Sequence, residues 1–100
     1  MAKEVILTPR AIANYEKILE YLMYHWGLKV TNDFIDRLNE SINMVAQYPE
    51  RFPFENKIKP VQRCIVTKHN ILYFKETPEN IRVLTIFDTR QDPEKLSIIF

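Results

Sequence analysis

The chain has 100 residues, 46% of them hydrophobic and 12% aromatic, which suits one small domain with its own core. Its single glycine, Gly27, excludes a glycine-rich phosphate loop, and its single cysteine, Cys64, excludes an internal disulfide and a multi-cysteine zinc site. The net charge of +1 is unevenly spread, because residues 1–56 carry six Lys and Arg against eight Asp and Glu, whereas residues 57–90 carry seven against three.

The first elements predicted along the chain are a short strand and a helix. Residues 4–7 are apolar and β-branched, which favours a strand. Thr8 and Pro9 then form a helix start, because threonine caps free N–H groups and proline loses no bond at the first helical position. The apolar stripe that follows predicts a helix of about five turns ending at Gly27. Its members are Ile12, Tyr15, Leu19, Leu22 and Trp26.

A second amphipathic helix is predicted immediately after Gly27, and it stops before Pro49. Its apolar positions recur at helical spacing: Val30, Phe34, Leu38, Ile42 and Val45. Because only a few residues join the two helices, we expect them to form an antiparallel hairpin.

The second half of the chain is predicted to be a loop and three strands. Residues 49–60 hold three prolines and no periodicity, and strands are predicted over 61–66, 71–75 and 81–87. Their short connections imply an antiparallel meander. The apolar tail, residues 96–100, is expected to add an extra edge element.

The predicted fold is therefore α+β with the order β-α-α-β-β-β, in a single domain spanning residues 1–100. A helical hairpin packs on one face of a small antiparallel sheet. The other face of the sheet, or the groove beside it, is left for a partner.

Other kinds of site find little support in the sequence. The histidines His25 and His69 lie on different elements without metal-ligand spacing, so no metal or cofactor is expected. Cys64 lies mid-strand and is expected to be buried rather than nucleophilic. The acidic side chains at 33, 36 and 40 form a solvated helix face around Arg37.

No apolar run reaches the roughly 20 residues of a membrane helix, and the N-terminus lacks the apolar core of a signal peptide. Together with the single thiol, these features predict a cytoplasmic protein without a membrane partner.

The basic residues of the second half are the strongest candidates for a functional site. Arg63 lies inside the first meander strand, and Arg90 follows the last one. We expect both to border one groove, where their guanidinium groups could hold phosphates or carboxylates. The alternative is that each pairs with an acidic neighbour, which for Arg90 would be Asp88 or Asp92.

The chain resembles the RelE/ParE toxin superfamily of bacterial toxin–antitoxin modules over nearly its whole length. The matching pieces are residues 5–11, 18–21 with Trp26-Gly27, 42–49, Gln62-Arg63-Cys64, 71–74 and 81–93. Their order and spacing carry the resemblance, and the superfamily shares the β-α-α-β-β-β order.

The resemblance implies one of two activities. RelE-like members cleave messenger RNA on the ribosome with basic side chains on the sheet, whereas ParE-like members inhibit DNA gyrase and have no known hydrolytic site. The Trp-Gly after the first helix and the Arg-Cys of the first meander strand are closer to the ParE side. The RelE arginine expected before Tyr73 is replaced, with Asn70 as its nearest match, and no tyrosine or histidine follows Arg90.

The leading hypothesis is a ParE-like toxin of a plasmid-stabilisation module that inhibits DNA gyrase and is neutralised by a small antitoxin. One alternative is a ribosome-dependent ribonuclease, with Arg63, Arg90 and Lys59 as candidate catalytic residues. Another is a non-toxic domain that binds an antitoxin-like peptide. The resemblance also leaves a homodimer possible. In each case the residues expected to bind target or antitoxin are Arg63, Lys68, Tyr73, Arg82 and Arg90.

Overall fold

The structure is a computed structural model that describes residues 2–55 and 58–98. It contains four strands, β1 (Glu4–Leu7), β2 (Gln62–Thr67), β3 (Asn70–Glu76) and β4 (Asn80–Asp88). Two helices, α1 (Pro9–Trp26) and α2 (Leu28–Gln47), lie between β1 and β2, and short 3₁₀ helices occupy Pro49–Arg51 and Pro93–Ile98. The predicted β-α-α-β-β-β order is confirmed.

Local capping chemistry sets both ends of α1, as the sequence predicts. The Thr8 hydroxyl accepts a hydrogen bond from the Ala11 N–H at 3.2 Å and donates to the carbonyl oxygen of Val83 at 2.9 Å. The same residue therefore caps the helix and ties its start to β4. Gly27 has a φ of 86°, a conformation that glycine adopts without a Cβ penalty, and it alone separates α1 from α2.

The sheet is mixed rather than antiparallel, with the strand order β1-β4-β3-β2. β2, β3 and β4 form the predicted antiparallel meander, but β1 pairs with β4 in parallel. Short turns force antiparallel pairing only between the strands that they connect. Two helices and a long loop separate β1 from the meander, so tertiary packing decides its direction.

The proline-containing loop before β2 is more ordered than its sequence predicts. Residues 53–55 run antiparallel to the start of β2, with the Arg63 N–H donating to the Pro53 carbonyl at 3.0 Å. The side-chain amide of the buried Gln62 donates to the carbonyl oxygens of Pro49 and Phe52 at 2.7 and 3.0 Å. The loop thus covers the outer edge of β2 at its beginning.

The main core lies between the helices and the sheet, and its largest fully buried side chains include Phe74, Leu72 and Ile81. A smaller cluster of Val61, Tyr73 and Phe87 lies on the other face of the sheet. The described part of the C-terminal segment forms a 3₁₀ helix (Pro93–Ile98) rather than the expected edge element, and its Leu96 packs on that smaller cluster. The predicted tail residues Ile99 and Phe100 lie outside the described part of the chain.

Two members of the predicted stripe on α1 do not belong to the core. Ile12 is 44% exposed and Trp26 is 65% exposed, because the sheet covers a narrower part of the helix than the periodicity suggests. Within the described residues, neither helix is long and apolar enough to cross a membrane.

Candidate functional site

One candidate surface is the sheet face turned away from the helices, which we call the open face. Side chains alternate along each strand, so the neighbours of the core residues Cys64, Phe74 and Val83 point to this side. The register places Arg63 opposite Tyr73, and it places Lys75 opposite Arg82. The structure therefore brings together three of the predicted binding residues, Arg63, Tyr73 and Arg82, on one face.

Arg63 is paired on the open face with an acid from the preceding loop. Its Nη1 lies 3.2 Å from Oε2 of Glu55, whose backbone N–H is bonded to the Val61 carbonyl oxygen at 2.7 Å. Burial, and after it the Glu55 carboxylate, raises the pKa of the Tyr73 phenol, while Arg63 opposes the shift. The group next to Arg63 is therefore a protonated phenol, which suits hydrogen bonding rather than proton abstraction.

Arg90 lies at another part of the molecule and is also paired. Its Nη2 and Nε donate to the Asp88 carboxylate at 2.8 and 3.0 Å, and its guanidinium carbon lies 5.8 Å from the centre of the Tyr21 ring on α1. Both arginines therefore pair with an acidic neighbour, as the alternative prediction has it.

The prediction that Arg63 and Arg90 border one groove is wrong. Arg90 reaches α1 on the helix side of the sheet, whereas Arg63 points to the open face. The two arginines also lie at different positions along the sheet. Arg90 follows Asp88, which pairs with Asn70, whereas Arg63 pairs with Tyr73, about 10 Å further along β3. Sequence patterns could not show this, since they do not specify on which side the chain leaves β4.

The three candidate ribonuclease residues are consequently not gathered at one place. Lys59 lies exposed in the loop before β2, and Arg63 and Arg90 lie on opposite sides of the sheet. Asn70, the residue that the resemblance gives as the nearest match to the RelE arginine, is buried and accepts a hydrogen bond from the Thr67 hydroxyl at 2.8 Å.

Arg90 instead shares a groove of about 520 Å³ with another predicted binding residue, Lys68, and with part of the helical hairpin. The sequence prediction missed the aromatic lining of this groove, Tyr21 and Trp26. The apolar periodicity of the first helix places Trp26 in the buried stripe, and it gives Tyr21 no role. The signal that could have found Trp26 is its place at the very end of α1, next to Gly27, where a helix leaves the core.

The remaining candidates behave as structural residues. Cys64 is buried, and burial raises the pKa of its thiol, with a hydrogen bond to Ser41 acting in the other direction. His25 packs against the rings of Tyr21 and Tyr24. Across residues 2–55 and 58–98, no three His, Cys, Asp or Glu side chains group closely enough to hold a metal ion.

The Asp88–Arg90 pair predicts a specific acid sensitivity. The hydrogen bond from Arg90 lowers the pKa of Asp88 despite partial burial, so the ionised carboxylate is favoured in the folded state. Its contribution to stability is present above the unfolded pKa of about 3.9 and is lost as the pH falls through the lower folded pKa.

Because Arg90 is half exposed, the contribution is at most about 1 kcal/mol. Urea unfolding at pH 6 and at pH 2.5 should show the wild type losing its advantage over Asp88→Asn at the lower pH. An advantage that is the same at both pH values would contradict this assignment.

Comparisons with known proteins agree with this architecture. The structure matches a chain from the chromosomal ParDE TA system of P. aeruginosa with a TM-score of 0.76 at 13% identity, covering 89% of this chain and 98% of that one. It also matches the YoeB dimer from Staphylococcus aureus (TM-score 0.62, 9% identity, 87% and 97% covered). A third match is the E. coli DinJ-YafQ toxin-antitoxin complex (TM-score 0.58, 9% identity, 88% and 93% covered). At these identities the matches establish the fold alone.

The sequence itself decides the family. No curated protein matches it. Residues 5–93, however, match the family model described as the ParE toxin of the type II toxin-antitoxin system, parDE. That match covers β1 from Val5 onward, both helices and the whole meander. The chain belongs to the ParE toxin family of type II toxin–antitoxin systems.

Proposed function

We propose that this toxin inhibits DNA gyrase and that a small antitoxin neutralises it. The observation that carries the proposal is the match to the ParE family over residues 5–93. The separation of Arg63 from Arg90 by the sheet supports it further, since a RelE-type ribonuclease needs its basic groups around one scissile phosphate.

The open face is the surface that we assign to the target. It presents Arg63, Lys75 and Arg82 next to the apolar side chains of the smaller cluster. Arginine beside a buried aromatic group is typical of interface hot spots, because the guanidinium both packs and donates several hydrogen bonds.

A supercoiling assay tests the activity. The purified toxin should inhibit gyrase, and adding the antitoxin should restore supercoiling. Unaffected supercoiling at saturating toxin would overturn the proposal. New 5′ ends in cellular transcripts after induction would then favour the ribonuclease, and unimpaired growth without any antitoxin would favour a non-toxic binding domain.

Arg63→Ala should weaken inhibition with little loss of stability. Its ion pair with Glu55 is partly exposed and stabilises the fold by at most about 1 kcal/mol. A charge-assisted hydrogen bond to a partner contributes about 1.5–3 kcal/mol, so the half-inhibitory concentration should rise roughly 10-fold or more. Arg10→Ala, an exposed arginine on α1, is the matched control. Equal losses of thermal stability and inhibition would show that Arg63 is structural.

A further inference from the structure

The strand β2 lies at one end of the sheet, and the loop before it covers the outer side of its first half. The Arg63 N–H donates outward to the Pro53 carbonyl, and the Glu55 N–H donates to the Val61 carbonyl. Because proline has no N–H, Pro53 cannot return a bond to the Arg63 carbonyl, and the pairing with the loop ends there. Beyond Arg63, the loop does not pair with the outer side of β2. We call this stretch, residues 65–67, the β2 edge.

The backbone of Ile65 points away from the sheet at the β2 edge. Backbone groups of an antiparallel strand alternate in direction, so Ile65 repeats the outward orientation of Arg63, two residues before it. The Cys64 thiol makes a weak contact with the Ile65 carbonyl oxygen at 4.0 Å, which leaves room for a stronger donor. The Ile65 side chain lies on the open face and is 67% exposed. An exposed β-branched residue with outward backbone groups is a template for an added strand.

An acidic groove borders the β2 edge on the helix side. It has a volume of about 540 Å³ beside Val66, and α2 supplies the rest of its lining: Asp33, Asp36, Arg37, Glu40 and Ser41. Three carboxylates thus accompany one guanidinium, and Lys29 pairs with the first of them, Asp33, at 3.3 Å. The groove therefore attracts cationic side chains and repels the phosphates of a nucleic acid.

These features specify the chemistry of a strand that fits the β2 edge. The side chains of an added strand alternate between the two faces of the sheet. Those on the helix side would lie beside Asp36 and Glu40, which suits lysine or arginine. Those on the open face would lie beside Ile65, which suits an apolar residue. A second copy of this chain does not fit, because pairing β2 with itself would bring two acidic grooves side by side.

We infer that an extended segment of the target, alternating basic and apolar residues, adds to the β2 edge as a further strand. The inference rests on the proposed function for the existence of that target. It deepens the assignment of the open face, because Arg63 and Ile65 lie on that face two residues apart in one strand. One bound segment would contact both.

Two substitutions at one position test the strand pairing in the gyrase supercoiling assay. Ile65→Pro removes the outward N–H without removing a bond between β2 and β3, and edge strands tolerate proline at such positions. It should raise the half-inhibitory concentration roughly 10-fold or more, because a hydrogen bond is lost and the proline ring blocks the edge. Ile65→Val keeps the N–H and most of the apolar surface, and it should inhibit nearly as the wild type does.

Charge reversal tests the acidic groove in the same assay. Asp36→Lys and Glu40→Lys should each weaken inhibition roughly 5-fold, because each places a cation beside the basic row of the bound segment. The matched control is Glu16→Lys, an exposed acid on α1 that does not line the groove. It should inhibit as the wild type does.

Amide hydrogen exchange reads the β2 edge without any variant, so it decides the matter even if Ile65→Pro unfolds. In the toxin alone the Ile65 amide faces outward and should exchange fast. Binding of purified gyrase should slow exchange in β2 fragments that contain Ile65. A synthetic peptide of alternating lysine and valine should also protect this amide, whereas one of alternating glutamate and valine should not.

Unchanged inhibition by a folded Ile65→Pro, or exchange at Ile65 that gyrase leaves unaltered, would overturn the inference. Protection of Ile65 by the antitoxin but not by gyrase would also overturn it and assign the edge to the antitoxin. A toxin that does not inhibit gyrase, while the peptide of lysine and valine still protects Ile65, would instead overturn the proposed target and leave the ligand chemistry of the β2 edge standing.

Discussion

Replacing Phe74 by alanine is expected to lower the free energy of unfolding by about 3–5 kcal/mol. Phe74 is fully buried in β3, at the centre of the main core, and its ring meets that of Phe52 edge to face at 5.9 Å between centroids. The substitution leaves a cavity between the sheet and the helices that the two well-anchored layers cannot close.

The loss is a large part of the total stability, because domains of this size are stable by only about 5–15 kcal/mol. Urea unfolding followed by circular dichroism measures it. Ile65→Ala is the matched control, since Ile65 is in the neighbouring strand and 67% exposed, and it should change stability by less than about 1 kcal/mol. A loss below about 1.5 kcal/mol for Phe74→Ala would contradict the packing described for the core.

Replacing Gln62 by leucine is expected to lower the free energy of unfolding by about 1–3 kcal/mol, although it puts an apolar side chain into a buried position. Gln62 is 2% exposed, and its amide supplies donors to the carbonyl oxygens of Pro49 and Phe52. Leucine keeps the volume but removes both donors. The Pro49 carbonyl still accepts from the Phe52 N–H at 3.2 Å, whereas the Phe52 carbonyl loses the Gln62 amide, and an unsatisfied buried group costs about 1–3 kcal/mol.

Replacing Gln62 by leucine should also loosen the candidate site on the open face. The loop that Gln62 anchors carries Glu55 to Arg63, so the variant should become more sensitive to protease between residues 49 and 60. Thermal unfolding and limited proteolysis measure the two effects, with Gln47→Leu at the exposed end of α2 as the control. Unchanged proteolysis in the loop would show that Gln62 does not hold it.

The two sides of the sheet carry different basic side chains. The open face carries Arg63 and Arg82, which we assign to the target, whereas Arg90 and Lys68 share a groove on the helix side of the sheet.

Most of the fold follows from local patterns in the sequence. Thr8-Pro9 and Gly27 mark the ends of α1 because capping and left-handed backbone depend on the residue at that position. The order of β2, β3 and β4 follows because their turns are too short for any other pairing.

The candidate site could be predicted only in part. The alternation along β2 and β3 is local, so the exposure of Arg63 opposite Tyr73 depends little on the rest of the chain. The side-chain oxygen of Asn14 accepts hydrogen bonds from the Thr85 hydroxyl and the Ile86 N–H, where β4 is irregular, and these bonds have no counterpart in the periodicity. They join residues that are 71 and 72 positions apart, and such contacts form only when α1 packs on the sheet.

The sequence by itself therefore determined the two helices and the start and end of α1, the antiparallel meander and the family, because each depends on neighbouring residues or on their spacing. Tertiary structure alone decided the parallel direction of β1, the pairing of Arg63 with Glu55, and the placement of Arg90 beside Tyr21. Each of these depends on how the helical layer sits on the sheet, and that packing joins residues far apart in the chain. It separated two arginines that the sequence suggested as one site, and it left Trp26 exposed in the groove that Arg90 and Lys68 line.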